Sequence, residues 1–95
     1  LLRISSMAAA YDIPVIPHGS GAYSYHFVIS QPHCPFCEYL NTSPDCLSFP
    51  SVFGSLFENE ILPINGKIEL NDEPGFGMNL NRNNLNLNRV YPSNE

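Results

Sequence analysis

The stretch IPVIPHGSGAYSYH, residues 13–26, decides how the rest of the chain is read. Ile13, Val15 and Ile16 are β-branched residues suited to a buried strand. Pro14 and Pro17 each lack a ladder donor, so that strand must be short or incompletely paired. Gly19 and Gly21 then permit backbone angles that other residues avoid, and Ser20 is placed to cap a following helix. His18 therefore stands at the C-terminal end of a strand, on the lip of a strand-to-helix turn. In parallel α/β architectures that edge is where catalytic groups collect.

On the N-terminal side, Leu1, Ile4, Ala8 and Tyr11 fall on one face at helical spacing, with Arg3 and Ser6 opposite. This predicts a helix over 1–11, read as the last part of an amphipathic helix, and the sequence as a fragment. A signal peptide ending at Ala8–Ala10 is the rival reading, but Arg3, Ser5 and Ser6 would break its apolar core. On the C-terminal side a second helix is expected over about 21–30, stopped by Pro32 and Pro35. PFCEYL, residues 35–40, reads as a second buried strand, and NTSPD supplies loop chemistry after it. Residues 1–40 thus predict helix–strand–helix–strand, with the two strands parallel and joined by a right-handed crossover.

From residue 41 the character changes. Pro44, Pro50, Pro63 and Pro74, with Gly54, Gly66, Gly75 and Gly77, cut the chain into short pieces. ILPINGKIEL, residues 61–70, carries an Asn-Gly turn signal between apolar residues and predicts a hairpin. The asparagine-rich end, residues 79–95, reads as a surface tail.

Ninety-five residues allow one small domain with little core to spare. The net charge is −5, and the four basic residues, Arg3, Lys67, Arg82 and Arg89, are scattered. No basic patch is available to neutralise phosphates, which argues against nucleic-acid binding. No apolar run approaches the roughly 18 residues needed to span a bilayer, which argues against a membrane partner.

HCPFC, residues 33–37, offers a Cys-x-x-Cys pair beside a histidine, and Cys46 is a third thiol. A structural zinc site wants a second closely spaced pair, and a thioredoxin-like motif opens a helix. Neither condition is met, so core packing of free thiols is expected, in keeping with a cytoplasmic setting. A small thiol- or zinc-binding interaction module built on Cys34, Cys37 and Cys46 is the alternative. Asn41-Thr42-Ser43 matches a glycosylation sequon by chance, and Gly75-Phe76-Gly77 lacks the setting of a dinucleotide loop. His26 and His33 read as structural. His18 differs, because Glu38 follows one strand–helix–strand unit later. If both strands share a parallel sheet, the two side chains face one cavity with the composition of a general acid–base site.

These residues resemble a known family. YDIPVIPHGSGAYSYHFV, PFCEYL and the ending INGKIELNDEPGFGMNLN are similar to the C-terminal part of the enolase superfamily, in its mandelate racemase branch. The nearest likeness is to the L-rhamnonate dehydratases. The resemblance implies the C-terminal fragment of a (β/α)₇β TIM-like barrel, with IPVIPH as its seventh strand and PFCEYL as its eighth. Residues 1–43 would be the last βα units, and 44–95 a tail packing on the barrel and a capping domain. It further implies a Mg²⁺-dependent lyase that dehydrates an acid sugar, with L-rhamnonate as the expected substrate and another acid sugar as the runner-up. His18 would be the catalytic base, and Glu38 would bind the substrate carboxylate as it becomes an enediolate. The family's metal ligands lie on strands this chain does not contain, so no residue here is carried over as a metal ligand. A homo-oligomer is implied for the full-length protein, and the fragment alone is expected to be inactive.

Overall fold

The computed structural model describes residues 1–19 and 21–83. The helix α1 spans Leu2–Ala10 and α2 spans Ala22–Ile29, each a residue shorter at both ends than the sequence predicts. Helix α1 ends where Asp12 turns into the left-handed region (φ 54). There the Tyr11 and Ile13 N–H groups both return to the Ala8 carbonyl, at 3.0 and 2.9 Å, satisfying it as a helix end requires. The apolar stripe read from the sequence is not the packed face: Leu1, Ile4 and Tyr11 are exposed, and Ser5 is the buried residue of α1. The stripe has no covering element among the described residues, and α1 and α2 do not pack on each other.

Helix α2 begins after Gly21, whose carbonyl accepts from the Ser24 and Tyr25 N–H groups. No side chain caps it; Ser20, the cap expected from the sequence, lies outside the described residues. Its buried face is Ala22, Ser24, Tyr25 and Phe27. At the far end the Ser30 hydroxyl donates to the Phe27 carbonyl at 2.7 Å, and Pro32 prevents another turn.

Neither 13–17 nor 35–40 forms a strand, which corrects the sequence reading. The two segments nevertheless run side by side. Val15 N–H donates to the His33 carbonyl at 3.4 Å, and further along, four residues on in the first segment and five in the second, Gly19 meets Glu38. Residue numbers rise together along both, so the segments are parallel, with Val15 opposite Cys34. In a parallel pair the reciprocal bond to the Val15 carbonyl comes from the residue after Cys34, which is Pro35. The next donor along the first segment is Pro17. Both nitrogens lack a hydrogen, so neither of those two ladder bonds can form.

Beyond residue 43 the chain is turns and isolated bridges. The Asn-Gly signal gives a two-residue turn, with Asn65 and Gly66 at φ 51 and 74, closed by Ile64 and Lys67 bonding each other at 2.8 and 3.0 Å. The expected hairpin is thus reduced to its tightest turn. A second antiparallel bridge joins Phe57 to Leu80. Most of the asparagine-rich tail, residues 84–95, lies outside the described residues.

Among the described residues the buried core side chains are Ala22, Tyr25, Phe27 and Cys34, around the inner face of α2, and Pro17 is buried as well. The Cα radius of gyration is 16.4 Å, where a compact domain of this length would have about 12 Å. The architecture is open, with apolar faces left uncovered.

Candidate active site

The register that sets Val15 opposite Cys34 also sets Gly19 opposite Glu38, and that places the site. His18 and Gly19 leave the end of the first extended segment; Glu38 leaves the second. The Gly19 N–H donates to Glu38 Oε2 at 2.5 Å. This requires Gly19 at φ 103, a conformation that a residue with a Cβ rarely adopts. His18 Nδ1 lies 2.9 Å from Glu38 Oε2 and 3.2 Å from Oε1.

Glu38 is held well suited to remain a carboxylate. The Gly19 amide chiefly holds its carboxyl below the usual glutamate range; burial opposes it, and the His18 hydrogen bond and charge add smaller lowering effects. A carboxylate only accepts, so in a neutral imidazole the proton sits on Nδ1 of His18, between the two side chains. Its Nε2 lone pair is then free, on a side chain 86% exposed. The arrangement presents a base aimed at open space and an acid that orients it.

The structure thus brings together the two residues singled out in the sequence. It leaves the other two histidines apart from them. His33 Nε2 bonds the buried Ser5 hydroxyl at 3.1 Å, and that hydroxyl donates to Gln31 Oε1 at 2.7 Å. The His26 ring tilts against Phe76 at 5.7 Å. Sequence reasoning missed Gly19 as a ligand, because a backbone amide carries no residue signature. It also missed Ser5, whose partners lie 26 and 28 positions away.

The three cysteines are free thiols: Cys34 is buried, Cys37 half-buried and Cys46 exposed. Burial pushes the Cys37 thiol up, away from the thiolate that metal binding or exchange would need. Among the described residues no group of three His, Cys, Asp or Glu side chains is placed to hold a metal ion. The sequon residues are spent on a turn, with Asn41 Oδ1 accepting the Ser43 N–H and the Ser43 hydroxyl bonding Asp45 at 2.5 Å. No described helix is long and apolar enough to cross a membrane.

The family model described as "Enolase C-terminal domain-like" matches residues 1–84. A protein of Caldivirga maquilingensis named "Putative L-rhamnonate dehydratase" is 46% identical over 82 residues, covering 86% of this chain and 21% of that protein. The crystal structure of L-rhamnonate dehydratase from Gibberella zeae superposes with a TM-score of 0.78 at 52% identity, over 86% of this chain and 21% of that one. The structure of rhamnonate dehydratase from the same organism complexed with Mg superposes at 0.72 with 53% identity, over the same shares. The chain spans about a fifth of the length of these relatives. Its parallel extended pair with an intervening helix corresponds to a part of their fold. This chain belongs to the enolase C-terminal domain-like family, in the enolase superfamily.

Proposed function

We propose that this chain supplies the proton-transfer pair of an acid-sugar dehydratase, and that the substrate is L-rhamnonate. The observation that carries the reading is the His18–Glu38–Gly19 contact, with the imidazole's second nitrogen left free. The relatives' printed names, at 46 to 53% identity, support the choice of substrate.

His18 Nε2 removes the proton α to the substrate carboxylate, and the C–H electron pair passes into an enediolate. The β C–O bond then breaks, and the departing hydroxyl takes the proton back from His18 and leaves as water. The enol that remains tautomerises to 2-dehydro-3-deoxy-L-rhamnonate. Glu38 first orients the imidazole. To hydrogen-bond a substrate carboxylate it must carry a proton, and an arriving anion favours that by raising the cost of a second negative charge.

One relative is described as complexed with Mg. The residues described here do not form a magnesium site: no suitable trio is present, and both Glu38 oxygens are engaged by His18 and Gly19. Any magnesium ligands therefore lie outside them, and the steps above use this chain's side chains alone. In the same reading, residues 1–43 are the last βα units of a barrel and 44–95 a tail against barrel and cap. The whole protein would be a cytoplasmic homo-oligomer.

The test is exchange of the substrate's α-proton in deuterated water alongside dehydration, using the full-length protein. His18→Asn is expected to lose both by at least about a hundredfold, the lower range for a general base, while folding normally. Glu38→Gln is expected to lower turnover more than it weakens substrate binding. Exchange at the wild-type rate in His18→Asn would remove the base assignment.

A further inference from the structure

Tyr23 is the first long side chain of α2, and a helical side chain leans back over the turn that precedes it. It does so here. Its hydroxyl oxygen lies 3.6 Å from where a Cβ on Gly19 would sit. Its ring atoms Cε1 and Cδ1 lie 3.0 and 3.4 Å from the corresponding point on Gly21, with Phe53 at 3.7 Å on the same point. The ring is therefore laid across Gly19 and Gly21, where any side chain at Gly21 would crowd it. Phe53 in turn meets Phe57 edge-on at 5.8 Å. Tyr23, Phe53 and Phe57 line one cavity of about 360 Å³ with Phe76 and Met78.

The hydroxyl at the end of this braced ring has no hydrogen-bond partner among the described residues, and Tyr23 is 54% exposed. It hangs beside Gly19, the residue whose amide grips Glu38. A phenol both donates and accepts, and a braced tyrosine places its hydroxyl at small entropic cost. On the dehydratase reading, an acid sugar held by its carboxylate end at Glu38 with its α-carbon at His18 would extend its remaining hydroxyls toward this lip.

We propose that Tyr23 is a substrate-contacting residue whose hydroxyl hydrogen-bonds the hydroxyl-bearing chain of the acid sugar. It selects a polyhydroxylated acid over one without distal hydroxyls. This rests on the dehydratase reading above, and the experiment separates the two.

Steady-state dehydration of L-rhamnonate and α-proton exchange are measured on the full-length protein, with its thermal midpoint. Tyr23→Phe removes one oxygen and keeps the ring. It is expected to raise KM by about three- to tenfold, the range for one lost hydrogen bond, with kcat within about twofold and the thermal midpoint unchanged. Gly21→Ala, which displaces the ring, is expected to raise KM similarly, and the double variant to do no more than either alone. An unchanged KM in Tyr23→Phe, or a fall in thermal midpoint with both kinetic constants unmoved, would overturn the proposal. Additive effects in the double variant would overturn it too, by placing the hydroxyl elsewhere. If wild-type protein neither dehydrates L-rhamnonate nor exchanges its α-proton, the parent reading fails, and this one with it.

Discussion

Glu38 is gripped by donors of two kinds: a backbone amide fixed by the turn at Gly19 and an imidazole that can come and go with its own proton. The amide is the stronger influence on the carboxyl, and its effect has a definite sign in pH. A carboxyl whose folded value is lowered stabilises the folded arrangement above the ordinary glutamate value of about 4.3, and that contribution disappears as pH falls through the lower folded value. Carboxyl-carbon NMR of Glu38 in the full-length protein should therefore give a midpoint below that of ordinary glutamates, and the Gly19 amide shift should follow the same curve. A midpoint at or above the ordinary range, or a Gly19 amide indifferent to pH, would contradict the contact. At this scale the sequence was legible where a residue type announces its chemistry. His18 and Glu38 each end or interrupt an apolar run, where a polar group is costly unless it opens onto water or ligand. The Gly19 amide contact and the place of the Tyr23 ring were not legible, because they depend on how a turn is folded rather than on what is in it.

Between elements, contacts that the sequence hides do the holding. Helix α1 is joined to the chain leaving α2 through the wholly buried Ser5, which bridges Gln31 and His33. Ser5→Ala would leave Gln31 Oε1 and His33 Nε2 without that partner and should cost about 1–2 kcal/mol. Denaturant unfolding of the full-length protein would show it; a change under about 0.3 kcal/mol would mean that water replaces the hydroxyl without loss. Both helices were legible to within a residue at each end, because prolines and small residues mark their limits. The two expected strands are only extended segments that run parallel; that they would not bond as strands was not legible. Apolar patterning records which segments want to be covered, while a ladder needs a donor at every second position, and Pro17 and Pro35 stand at two of those positions here.

Across the whole molecule, apolar surface is the dominant fact. Leu2, Ile4, Met7, Tyr11, Ile29 and Leu47 are each more than 60% exposed, while among the described residues the buried apolar set is small and gathers around α2, Cys34 and Pro17. A cavity of about 650 Å³ opens between Tyr25, Ile29, Phe36, Phe49 and Leu70. Such faces reflect the burial that patterning anticipates, with the covering elements absent from the described residues. The 95-residue chain alone should bind a hydrophobic dye strongly and melt over a broad range, since little core makes its parts cooperative. A single sharp calorimetric transition without dye binding would show the opposite. The joint between residues 13–17 and 35–40 behaves like a seam that peptide bonding has left almost unstitched. Among the described residues, one backbone bond near its start and the Glu38 clasp at its lip help to fasten it. Glu38, which bonds both His18 and the Gly19 amide, is thus also a rivet, so any substitution there changes the alignment of the two segments as well as the chemistry at their ends.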